Sequence, residues 1–136
     1  MMVDIKWSRV TGIEYENRVQ MGTEMRLKHS VNRYELRYNE AEQRCLGVLE
    51  FRIADEELRP FSIKVTMEAL FTYEEGDDRA DIHVASFDQL FPFLRQTVHS
   101  VTAMSGMAGL MLPMMHLKKT SVVSKMTPPS DDSLLN

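Results

Sequence analysis

At 136 residues, 43% apolar and 26% charged, the chain has the size and make-up of one folded domain and is too apolar for a disordered one. Its 16 Lys and Arg against 20 Asp and Glu leave a formal net charge of −4, which disfavours broad electrostatic binding to nucleic acid. The single cysteine, Cys45, cannot close a bridge within the chain, and residues 1–7 begin no apolar run of signal-peptide length, so the expectation is a protein of a reducing cytoplasm.

Four strands are predicted in order, with no helix between them. Val10, Ile13 and Tyr15, set among Glu14 and Glu16, mark the first, with Gly12 weakening its start. In the second, Met25, Leu27, His29 and Val31 alternate with polar residues. The apolar phase then moves to Tyr34, Leu36 and Tyr38, which predicts a bulge near residues 32–33. Leu49, Phe51 and Ile53 alternate with Glu50 and Arg52 in the third. In the fourth, the odd positions Phe61, Ile63, Val65, Met67, Ala69, Phe71 and Tyr73 are apolar and the even ones, Leu70 excepted, are polar. One face of such a strand is buried and the other wet, as in antiparallel sheet. The polar run 55–60 joins the last two strands as a hairpin.

Beyond the strands the period changes. Glu74, Glu75, Asp77, Asp78 and Asp81, relieved only by Arg79, read either as a solvated loop or as a docking patch for a basic partner, carried by Glu74, Glu75, Asp77 and Asp78. Leu90, Phe91, Leu94, Val98, Val101 and Ser105 then recur at helical spacing, a helix with one apolar face. Ser86 or Asp88 is its expected cap, and Pro92, which has no N–H to give, is expected in its first turn. Ser105, Gly106 and Gly109 end it. Residues 96–117 carry no formal charge, but His99, Ser100, Thr102, Ser105, Gly106, Gly109 and Pro113 break them into short runs that fit burial in protein better than a membrane span. Residues 118–136 read as a flexible tail, so the domain is 1–117.

No catalytic or metal constellation is legible, and no enzyme is expected. His29, His83, His99 and His116 are scattered, and no Gly-x-Ser-x-Gly elbow or glycine-rich phosphate loop occurs. Cys45, with only Arg44 as a basic neighbour, reads as an inert thiol. Residues 106–109 have the Gly-x-x-Gly shape of a KH loop without its basic residues. Met104, Met107, Met111, Met114 and Met115 are the informative group. Flexible thioethers on glycine-containing backbone suit either an adaptable binding surface or a loosely filled core or subunit interface.

Leu90-Phe91-Pro92-Phe93-Leu94-Arg95 resembles the Leu-Phe-Pro-Tyr-x-Arg motif that opens the long helix of the SecB family of protein-export chaperones, with Phe93 in the place of Tyr. Ala69-Leu70-Phe71 is similar to the end of that family's last strand. Leu110-Met111-Leu112-Pro113 is similar to its Leu-x-Leu-x-Pro segment, one residue tighter, and no second long helix is evident after it. The resemblance spans residues 10–117. It implies an α+β fold, a four-stranded antiparallel sheet followed by one long helix, with the second C-terminal helix short or absent. It further implies a homotetrameric dimer of dimers with Leu94, Val98 and Val101 of the helix at the interface. The function implied is a cytoplasmic holdase for unfolded or partly folded polypeptides, without cofactor or ATP and peripheral to a membrane at most. Its client groove would be lined by Met107, Leu110, Met111 and Met114 after the helix and by Met21 and Met25 on the strand side. The export translocase motor or an antitoxin is the implied partner. A non-chaperone oligomeric protein of the same fold, with the methionine-rich segment between subunits, is the alternative; a small-molecule or lipid-binding module is a third.

Overall fold

The computed structural model describes residues 2–20, 22, 25–55 and 60–117. Four strands, β1 (Asp4–Asn17), β2 (Leu27–Asn39), β3 (Arg44–Asp55) and β4 (Phe61–Thr72), precede one helix, α1 (Arg79–Met104). The sheet is antiparallel throughout, in the order β1-β4-β3-β2.

Alternation along β3 and β4 sets which face is buried. The pairs Ile53–Ile63, Phe51–Val65, Leu49–Met67 and Cys45–Phe71 lie directly opposite one another, so their side chains share one face. Between them Gly47 stands beside Ala69, and a Cβ on Gly47 would come within 3.0 Å of the Phe71 ring and 3.2 Å of Leu36, so only glycine lets that ring close over the strand. The register of β2 shifts between Val31 and Arg33, as the change of apolar phase predicts. Val31 faces Phe51 before the bulge, while Tyr34 and Leu36 face Leu49 and Gly47 after it. The first strand differs from its sequence reading. It begins at Asp4, and bulges at 5/7 and 10/12 keep Ile5, Val10, Ile13 and Tyr15 on the helix-side face despite their irregular spacing.

Because β1 lies beside β4 and β2 beside β3, the chain leaves β1 on one side of the β3–β4 pair and enters β2 on the other. The β1–β2 connection is tied at both ends: the Arg18 N–H donates to the Pro60 carbonyl (2.9 Å) and the Arg26 N–H to the buried Asp55 carboxylate (3.3 Å).

The helix starts earlier than its apolar period suggests. Asp78 is the N-cap, in extended conformation with its carboxylate accepting from the Ala80 N–H, and Asp81 stands in the first turn. The acidic run is therefore partly the helix start. Ser86 and Asp88 are not caps: the Ser86 hydroxyl shares a 2.6 Å hydrogen bond with Tyr34, and Asp88 pairs with His116. Pro92 lies inside the helix with its ring exposed, where it removes the bond an N–H would have made to the carbonyl of Asp88. Ile82, Phe87, Leu90, Phe91, Leu94 and Val98 are the buried stripe, laid over the apolar face of the sheet, with Phe91 edge-on to Phe51 at 5.8 Å. Gln89 holds the start of the chain, accepting from the Ile5 N–H (2.8 Å) and donating to the Val3 carbonyl.

Ser105 and Gly106, the latter at φ 93°, end the helix as the sequence predicts. Residues 107–117 form neither helix nor strand and run back along the helix as a strap. Thr102 Oγ1 accepts from the Leu110 N–H (2.9 Å), Arg95 Nε donates to the Leu112 carbonyl (2.7 Å), and His116 Nδ1 lies 2.9 Å from Asp88 Oδ1. Residues 88, 95 and 102 are seven apart, two helical turns each, so one stripe of the helix holds the whole strap. At its start Gly109 rests on the His99 ring, and a Cβ there would come within 2.5 Å of Nε2. No second helix follows among the described residues, and the tail expected over 118–136 lies outside them.

Candidate functional site

A groove of about 610 Å³ opens where the β1–β2 connection meets the turn after the helix. Val19, Gln20 and Met25 line one wall, Ser105, Gly106, Met107 and Ala108 the other, with Asn17 between them. The strand side fixes the Met107 wall. Tyr15 Oη is 2.7 Å from Ser105 Oγ, and the Tyr15 hydroxyl and Asn17 Nδ2 both donate to Met107 Sδ, at 3.6 and 3.7 Å. Val19, Met25 and Met107 are half-buried and rest on the core, so a firm apolar floor carries an open mouth.

Of the residues predicted for a client groove, the structure brings Met25 and Met107 together here. Met21 lies outside the described residues. Leu110, Met111 and Met114 do not line this cavity; they sit farther along the strap. There the two readings of the methionine-rich segment divide by side chain. Leu112 is buried and Met115 half-buried against the core, while Met104 (83%), Met111 (69%) and Met114 (44%) are exposed. Asn17 and Val19 are groove residues that sequence reasoning missed as a site; Tyr15, which the apolar spacing of the first strand marked only as a buried face, backs the Met107 wall.

The predicted interface on the helix needs correction. Leu94 and Val98 are wholly buried under the chain's own sheet and have no surface to offer a second subunit. A single helix on a sheet uses its apolar stripe there. Val101 alone of the three reaches the surface, in a shallow cavity of about 350 Å³ with Val10, Met67 and Phe93. Val10, Ile13 and Phe93, at 38%, 44% and 43% exposure, form the apolar surface along the β1 edge.

The acidic residues divide in the same way. Asp77 accepts from the Glu74 N–H (3.0 Å), closing the turn before the helix, and Asp78 caps α1, while Glu74 and Glu75 are exposed. Glu75 and Asp77 border a cavity of about 340 Å³ with Tyr38, Tyr73 and Arg79. Arg79 pairs with Glu40 at 2.5 Å and lies 4.2 Å from the centre of the Tyr38 ring. Cys45 is buried in the core below, and burial pushes its thiol up to about 12. No three His, Cys, Asp or Glu side chains among the described residues come together as metal ligands do, and no described helix is long and apolar enough to cross a membrane.

An antiparallel four-stranded sheet followed by one long helix is the SecB-like architecture. No family model matches the chain, and no curated protein matches it. Among solved structures, a SecB-like chaperone of Mycobacterium tuberculosis, in complex with a ChAD peptide from the HigA1 antitoxin, superposes with a TM-score of 0.65 at 15% identity, over 83% of this chain and 87% of that one. A protein of unknown function from Streptococcus agalactiae superposes with a TM-score of 0.55 at 19% identity, over 84% and 98%. At these identities the likeness shows the fold, and the fold is SecB-like.

Proposed function

We propose that this protein is a SecB-like holdase of the cytoplasm that binds extended apolar stretches of unfolded polypeptides and performs no chemistry on them. The observation that carries the reading is the open groove between Met25 and Met107, apolar at its floor. Methionine repacks around many side-chain shapes, which suits a site that must accept varied sequences. Each apolar side chain buried there contributes about 1.5–3 kcal/mol, so a few contacts hold a chain without sequence specificity. The structural neighbour bound to an antitoxin peptide supports peptide capture as the activity; on this reading an antitoxin segment or an export client would be the occupant of the groove.

Replacing Met25 and Met107 together by Ser is expected to weaken suppression of aggregation of a denatured client by at least tenfold, on the order of the transfer energy of two methionines. The paired control, Met111 with Met114 to Ser, is expected to keep most of the activity, since neither lines the groove. Full activity in a folded Met25/Met107 variant would reject the groove. The alternative, an oligomeric interaction protein without chaperone activity, is favoured by the exposed Val10, Ile13 and Phe93 and predicts no suppression by any variant.

A further inference from the structure

The thioethers of the strap, the helix end and the sheet differ in their surroundings. Met104 and Met111 are the most exposed of the group and face no recorded donor among the described residues, whereas Met67, 2% exposed, is shut inside the sheet. Met107 is half-buried, and its donors, Tyr15 and Asn17, are neutral. Among the described methionines, Met114 alone combines exposure, 44%, with a cation: Arg95 Nη1 donates to its sulfur at 3.1 Å while Nε of the same guanidinium holds the Leu112 carbonyl. A thioether is a weak acceptor, so this arm of Arg95 has a poor partner.

We propose that Met114 is an oxidation site whose sulfoxide is read by Arg95, so that peroxide tightens the strap on the helix. In the step, the Met114 sulfur attacks one oxygen of hydrogen peroxide. The S–O bond forms as the O–O bond breaks, the sulfur gives up two electrons, and the other oxygen leaves as water after taking the proton from the transferred one. The sulfoxide oxygen carries partial negative charge and replaces the sulfur as acceptor for Nη1, a charge-assisted hydrogen bond in place of a weak one. The same oxidation at Met104 or Met111 only makes exposed surface polar. Reduction by a methionine sulfoxide reductase returns the thioether and the looser strap. The inference concerns the strap and stands whether or not the groove holds clients.

The test treats the full chain with hydrogen peroxide, follows each methionine by peptide mass spectrometry, and measures amide hydrogen exchange over residues 110–117. In oxidised wild-type protein exchange there is expected to slow by about tenfold, the scale of one gained hydrogen bond to a charged group. It should return to its starting rate after enzymatic reduction, and Met114→Leu, treated alike, should show no slowing. The idea is overturned if Met114 resists oxidation while Met104 and Met111 are converted. It is equally overturned if exchange in the oxidised protein is unchanged or faster, or if Met114→Leu slows as much as wild type. The oxidised and reduced wild-type forms make the comparison even if the variant does not fold.

Discussion

Cys45, Tyr34 and Tyr38 are three acids that the fold keeps neutral. The Cys45 thiol is pushed up to about 12 by burial. Burial likewise raises both phenols well above their ordinary range, against the opposing hydrogen bond from Ser86 on Tyr34 and the nearby charge of Arg79 on Tyr38. In the unfolded chain the thiol ionises near its ordinary value of 9.0 and the phenols near 10.0. Above pH 9 the unfolded state thus binds fewer protons than the folded one, and stability falls as pH rises. Denaturant titrations between pH 7 and pH 10.5 are expected to show this decline, Cys45 contributing at most about 1.4 kcal/mol per pH unit once its unfolded thiol has ionised. Cys45→Ser should flatten the slope between pH 9 and 10, whatever it does to stability at pH 7; an unchanged slope would remove Cys45 from the account. The inert thiol was legible from its sequence neighbours alone. The phenol of Tyr34 was not, because its partner Ser86 lies 52 residues away.

At the scale of elements, α1 depends on a cap that the sequence concealed among five acids. Asp78→Ala is expected to cost about 1 kcal/mol, lowering Tm by about 3–6 °C, while Glu75→Ala, on the exposed turn, should leave it unchanged. Equal melting of the two variants would deny Asp78 its role. Pro92 misled the sequence reading because a proline placed in a first turn hides the roughly three and a half turns before it, yet Ile82 and Phe87 already belong to the buried stripe. Strands β2 to β4 were legible from alternation, down to the bulge at 31/33. The start of β1 was not, since two bulges on an edge strand leave no regular period to read. The strap was the least legible element. Its geometry comes from Thr102, Arg95 and Asp88 reaching across from the helix, and no local pattern within 107–117 encodes that. Arg95 was visible in the sequence as part of a motif, and the structure supplies its task.

At the scale of the whole molecule, the apolar stripe of the helix is used inside the chain, so any assembly must use other surface. Val10, Ile13 and Phe93 supply it along an edge strand whose outer backbone groups are open to pairing. Light scattering at micromolar concentration is expected to give a mass above the 15.7 kDa of one chain. Ile13→Asp with Phe93→Asp should return a folded monomer, since both positions are exposed, whereas Leu94→Asp should unfold the domain by burying an unpaired charge. A wild-type monomer, or a double variant that still assembles, would move the interface elsewhere. Of the residues first assigned to it, Val101 alone borders this surface, because burial in a shared helix face cannot be divided between sheet and partner by periodicity alone.

Gln89 grips residues 3 and 5, and its neighbour Asp88 grips His116, so the two described ends of the chain meet at one point on the helix. The groove lies at the other end of α1, 16 residues on at Ser105, or roughly 24 Å away by helical rise. A label placed at residue 3 or 116 therefore sits on the side remote from the groove. The same closeness suits residues 2–117 to circular permutation, with new termini opened at an exposed turn such as residues 40–42.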